Sequence, residues 1–227
     1  APYLEKAWAS YGWRLCIMVT ADVDIKQLGT MSANTVFVRL PNIPELRDAT
    51  IAQAGRLYAA QFLPEDAIIM TSDMDLLPLC DYWEPDPEHI TVYGHDLTDY
   101  TYYPMGYVAM TGKQWKEKMS LTYNTKEDIL RDAQHFPIAF SEDWEKWWNY
   151  DWTLLTARLK AFENELTFIK RGRGHAGFAY GRIDRGDGCI IPPGETLIDA
   201  HLENHNSRHP EKFDKFLLLF NSVHGKL

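Results

Sequence analysis

Residues 67–79 read Ala67-Ile68-Ile69-Met70-Thr71-Ser72-Asp73-Met74-Asp75-Leu76-Leu77-Pro78-Leu79, an apolar run that ends in two carboxylates one residue apart. Four consecutive apolar residues, two of them β-branched, predict a buried strand, and a central strand of a parallel sheet fits better than a half-exposed antiparallel one. Ligand sites in open α/β sheets lie beyond the carboxyl ends of the strands, which is where Asp73 and Asp75 fall. Side chains i and i+2 of an extended chain point the same way, so the pair can converge on one hard divalent cation. An acidic turn without a ligand has the same tripeptide. The apolar residues on both sides draw the pair inward, however, and a buried carboxylate needs a counter-charge.

A chain of 227 residues with 45% apolar residues supports one substantial domain with its own core. No apolar stretch approaches the ~20 residues that span a bilayer, and the N-terminus lacks the charged and apolar regions of a signal peptide. Cys16, Cys80 and Cys189 are scattered and odd in number, which indicates neither a disulfide framework nor a zinc site and predicts a reducing, cytoplasmic setting. A formal net charge of −9 argues against general nucleic-acid binding, which needs a basic field. A small anionic ligand can still bind through a cation and local arginines. The 8 Trp, 12 Tyr and 10 Phe supply flat surfaces for stacking sugars or bases, although most belong to the core.

Helical spacing of Leu4, Ala7 and Trp8 predicts a helix over 3–11, ended by Gly12. Strands follow over 13–20 and 35–40. Ile51, Ala54, Tyr58 and Phe62 make one apolar stripe of a helix over 45–62, and 67–72 is the next strand. This β-β-α-β alternation indicates an α/β fold. Further on, the pattern predicts strands over 89–94 and 105–110, an aromatic loop over 100–103, and helices over 113–119 and 124–136. Asn124 or Thr125 caps the second of these. A long helix over 141–162 carries Trp144, Trp147, Trp148 and Trp152 as core or wall. The Gly- and Arg-rich stretch 170–188 reads as a loop that grips phosphate or is simply solvated. A strand over 196–200 leads into His201, and a final helix over 209–223 buries Phe213, Phe216, Leu217 and Phe220. The chain opens on a helix. In open α/β nucleotide-binding folds the first strand supplies part of the base pocket, so either a strand precedes Ala1 or the sheet is built differently.

The order of a helix with Gln53 and Arg56, a strand, and then Ser72-Asp73-Met74-Asp75 resembles the GT-A glycosyltransferases, over about residues 35–201. That resemblance implies a single Rossmann-like domain over 1–227, with a mostly parallel central sheet flanked by helices. It also implies a nucleotide-sugar donor, UDP-linked in this reading, and a Mn2+ or Mg2+ ion on Asp73 and Asp75. In glycogenin-like members a basic residue on the preceding helix approaches the donor, and Arg56 stands at that distance from Asp73. The family's late histidine ligand corresponds to His201, with His205 and His209 as alternatives. Its carboxylate at a helix start near the acceptor corresponds to Asp151, in Tyr150-Asp151-Trp152-Thr153-Leu154-Leu155. In size and in the Ser-Asp-Met-Asp setting the chain also resembles the short glycosyltransferases of large algal viruses. That likeness implies a glycan or glycoprotein acceptor and, for a viral chain, the host cytoplasm.

Two other functions fit parts of this pattern. A haloacid-dehalogenase-type phosphohydrolase also places D-x-D after an apolar strand, with the first aspartate as nucleophile and the second as acid/base. Such enzymes usually carry Thr or Val where this chain has Leu77, and they place the motif near the N-terminus. A non-catalytic carbohydrate-binding domain on a degenerate transferase fold is the other, and it would bind glycans without a metal.

Overall fold

The computed structural model describes residues 1–94, 102–170, 182–183, 197–201 and 210–225. His205, His209, Cys189, Tyr100, most of the stretch 170–188 and the side chains of Trp144 and Phe213 lie outside the described residues. The fold is α/β, as expected, but its sheets are mixed rather than mostly parallel. Strand β1 (Cys16–Val19) pairs in parallel with β2 (Val36–Arg39). Strands β3 (Ile68–Met70), β5 (Ile90–Tyr93), β6 (Val108–Thr111) and β7 (Leu166–Ile169) form a second sheet in the order β3-β6-β5-β7. Only β5 and β7 run parallel there; β6 is antiparallel to both of its neighbours. The apolar run of β3 therefore belongs to an antiparallel pair, with Ile69 buried and Ile68 and Met70 partly buried. Strands β4 (Leu76–Pro78), β8 (Arg182–Ile183) and β9 (Asp199–His201) make a third sheet in the order β4-β9-β8.

Period-two alternation divides the apolar side chains of the second sheet between two cores. Ile69, Ile90, Val92, Val108 and Met110 face one core, whereas Tyr93 and Ala109 face the other, with Ile68 and Met70 packed against it. The first core is covered by α2 (Asp48–Gly55), α3 (Gly112–Lys118), α4 (Thr125–His135) and α6 (Tyr150–Lys160). The second lies under α1 (Pro2–Ala9), which buries Leu4, Ala7 and Trp8, and α7 (Pro210–His224), which buries Phe216, Leu219 and Phe220. Among the described residues, no helix is long and apolar enough to cross a membrane.

Several predicted elements change at their ends for identifiable reasons. The helix expected over 45–62 begins only at Asp48 and tightens after Gly55 into a 3₁₀ helix, Arg56–Gln61. A Cβ at Gly55 would meet a terminal methyl of the Leu40 side chain, so α2 packs closely on the residue that follows β2. Ile51, Ala54 and Tyr58 are buried as the stripe predicts, but Phe62 is 45% exposed. Asn124 caps α4 by accepting from the Glu127 amide at 3.3 Å. Thr111 and Gln114 cap α3 reciprocally, so that helix starts directly off β6. The long helix expected over 141–162 is two: α5 (Trp144–Trp147) and α6 are separated at Asn149, whose backbone (φ −97°, ψ 13°) leaves the helical range. Trp152 packs on the first core, while Trp148 is half exposed.

Candidate functional site

Asp73 and Asp75 lie on the turn between β3 and β4, immediately past the carboxyl end of β3. The turn is short because Leu76 already re-enters a strand: its backbone pairs with His201 of β9 in antiparallel register. That register carries His201 to the acidic turn, and His201 Nε2 stands 3.2 Å from Asp75 Oδ2. Both groups are partly exposed.

Asp73 turns the other way. Arg56, at the junction of α2 and the 3₁₀ helix, donates through Nη1 to Asp73 Oδ1 and through Nη2 to Asp151 Oδ2 at 2.7 Å. Its Nε donates to the Gln53 carbonyl at 3.1 Å, which fixes the guanidinium plane. Burial works against the charge on Arg56, but the carboxylates of Asp73 and Asp151 outweigh it and hold its pKa above the ordinary value. Asp151, in the first turn of α6, is 1% exposed. Burial raises its pKa from 3.8 to about 6, opposed by Arg56. Asn149 holds the cap position without a side-chain cap bond, and Asp151 Oδ1 accepts from the Trp152 amide of the first turn at 2.9 Å, so Asp151 serves the helix start with one oxygen and Arg56 with the other.

The elements carrying Arg56 and Asp151 are themselves tied together. Tyr58, two residues after Arg56, donates to Asp132 Oδ2 at 3.0 Å, and Arg158 of α6 donates to Asp132 Oδ1 at 2.6 Å. Arg131 bridges Asp132 to Asp128. This buried network on α4 holds the 3₁₀ helix and α6 in register, so the Arg56–Asp151 pair is built from fixed parts. A second network supports His201. Asp199, two residues earlier on β9 and fully buried, accepts from Arg182 Nε and Nη2 at 2.9 and 3.0 Å and from the Tyr107 hydroxyl at 2.7 Å. Sequence reasoning picks out neither Asp199 nor Tyr107. The available signal is Asp199 standing at i−2 from His201, which places both on one face of the strand.

The five residues selected from the sequence thus come together as two contacting groups, Arg56–Asp73–Asp151 and Asp75–His201. Two ligands of one cation at right angles are separated by about 3 Å when each bond is ~2.1 Å. The Asp75–His201 separation of 3.2 Å fits that arrangement, and it equally serves a hydrogen bond. Asp73 Oδ2 has no protein partner among the described residues and is available as a further oxygen ligand. Among the described residues, no group of three or more His, Cys, Asp or Glu side chains is gathered to hold a metal unaided. A cation here would take the balance of its coordination from ligand oxygens and water. A scan against protein-family models finds no match, and a search of curated proteins finds no relative at a significant level.

Proposed function

We propose that this chain is a metal-dependent glycosyltransferase of GT-A type, transferring a hexosyl or deoxyhexosyl group from a nucleotide-diphosphate sugar to a glycan or protein-linked acceptor. The donor in this reading is a UDP-sugar. The observation that carries it is the convergence of Arg56, Asp73 and Asp151, drawn from three separate segments, on the turn that also brings Asp75 to His201. Nothing in packing alone calls for three carboxylates, a guanidinium and an imidazole at one strand end.

Asp73, Asp75 and His201 would hold Mn2+ or Mg2+, and the imidazole tilts the choice towards manganese. When bound, the ion supplies Lewis-acid stabilisation of the charge that develops on the departing diphosphate. Arg56 orients Asp73 through one oxygen and leaves the other for the ligand. Its guanidinium also holds Asp151 in place, and fork geometry suits it to diphosphate or sugar oxygens. Asp151, with a pKa near 6, orients an acceptor or sugar hydroxyl by accepting its proton in a hydrogen bond. The enzyme would work in the cytoplasm, that of the host if the chain is viral.

The test is a thermal-shift panel of nucleotide sugars with and without manganese, followed by assay of nucleotide-diphosphate release. Ligand stabilisation follows RT ln(1 + [L]/Kd), so one nucleotide should stand out, and only with the metal present. Equal stabilisation in chelator would remove the proposed role of the cation. Phosphate release from p-nitrophenyl phosphate without nucleotide release would make the chain a phosphohydrolase instead.

A further inference from the structure

A cleft of about 940 Å³ runs between β1 and β3 and ends at Ser72 and Asp73. Its walls follow both strands, from Trp13 and Pro64 at one end to Met18 and Met70 further along, so it is a slot and not a cup at the strand ends. Both strands present an open edge to it. Carbonyls of Leu15 and Val19 accept from β2 and the residue after it, so the odd-numbered residues of β1 face β2. The N–H and C=O groups of Cys16 and Met18 therefore face the slot. On β3, Ala67 and Thr71 bond to Gly112 and Val108 across the ladder with β6, which turns Ile68 and Met70 into the slot from the other side. None of these four residues has a backbone hydrogen bond to another described residue on that side.

Their side chains show the same gap. Cys16, Met18, Ile68 and Met70 lie within these edge strands and are only half-buried, and Phe62, on the apolar stripe of its helix, is exposed onto this cleft. Two facing rows of unpaired amides and carbonyls, flanked by apolar side chains, are complementary to one extended chain.

We infer that the slot is filled by a β-strand of roughly four to six apolar residues, about 13–20 Å long, contributed by the polypeptide preceding Ala1. The choice of occupant rests on α1. Leu4 and Trp8 of that helix already line the slot, so a chain entering α1 arrives beside it and a short βα turn suffices. The strand, α1 and β1 then form a β-α-β unit, with α1 over the second core, while the β2 to β3 crossover uses α2 over the first. The first two sheets join as one, in the order β2-β1-strand-β3-β6-β5-β7. The carboxyl end of the added strand stands beside Asp73. This inference is independent of the reaction proposed above.

Residue-resolved amide exchange on the protein carrying its natural upstream residues, compared with the 227-residue chain, tests it. The amides of Cys16, Met18, Ile68 and Met70 should exchange at least 100-fold more slowly in the longer protein, while those of Ile17 and Ile69, already paired, change little. Unprotected amides at the four positions in the longer protein overturn the inference, and that measurement stands alone where the shorter chain does not stay in solution. Protection that appears only with rising protein concentration overturns it in favour of a strand donated between molecules. A reading frame that opens immediately before Ala1 overturns it as well.

Discussion

Replacing Arg56 with methionine gives a loss of stability whose size depends on pH in a way set by Asp151. The pair with Asp73 contributes little, because the Asp73 side chain is 38% exposed and such pairs are worth about 0–1 kcal/mol. Asp151 is 1% exposed and has nowhere to shed its charge. Its pKa is raised from 3.8 to about 6 with Arg56 in place. A raised carboxyl favours the fold while protonated, so this stability is fully present below the unfolded pKa and is lost as pH rises through the folded one. At ~1.4 kcal/mol per unit, ionised Asp151 already costs the native protein about 3 kcal/mol at neutral pH. Without the guanidinium the folded pKa moves higher still, and the cost keeps growing until that new pKa is passed. At pH 5 both proteins hold Asp151 largely neutral, so Arg56→Met should differ from wild type by no more than about 1 kcal/mol. The gap should widen to about 1–2 kcal/mol at pH 7 and be no smaller at pH 8.5. Urea unfolding at the three pH values measures it, and adding Asp151→Asn to the Arg56→Met protein should flatten the profile. A loss of equal size at pH 5 and 8.5, or a double variant as pH-sensitive as the single one, would refute the claim that Arg56 acts as the counter-charge of a buried carboxylate.

Asp75→Ala should abolish sugar transfer and manganese-dependent nucleotide binding while shifting Tm by only a few degrees, since the side chain is partly exposed; retained binding in manganese removes Asp75 from the site. Asp151→Asn should lower kcat more than tenfold with donor KM little changed, and steady-state kinetics with saturating acceptor separate the two. Arg56→Lys keeps the charge but loses the fork that reaches Asp73 and Asp151 together, so kcat/KM should fall well beyond twofold. Tyr107→Phe removes a donor from fully buried Asp199 and should cost about 1–3 kcal/mol in urea unfolding, with the fold kept by the remaining Arg182 contacts.

What the sequence discloses here is what local periodicity and chemistry encode. The helical stripe Leu4, Ala7 and Trp8 is buried under its own core, Asn124 caps its helix, and the apolar run 67–70 ends where the acidic pair begins. Strand direction is not a local property. The run Ile68–Met70 has the apolar composition of a parallel strand, yet its partner is antiparallel β6. Strand β7 escapes sequence reading because Leu166–Ile169 alternates only weakly, and its partner β5 lies more than 70 residues away. Strand β4 hides behind Pro78, which sits opposite Asp199 without an N–H to give, while Leu79 beyond it still donates to Ile198.

The same division runs through the site. Asp73 and Asp75 are legible because their spacing on an extended chain is itself the geometry. His201 reaches the site through the register that sets it opposite Leu76, which no local pattern encodes. Asp151 is the extreme case: from sequence it is an aspartate at a helix start, the commonest of structural roles. Burial raises its pKa, and the counter-charge that opposes that rise and gives it a claim to chemistry is Arg56, which reaches it across 95 positions of the chain. The residue's role therefore rests on two elements at once, α6, which carries it, and the junction of α2 with the 3₁₀ helix, which carries Arg56 to it.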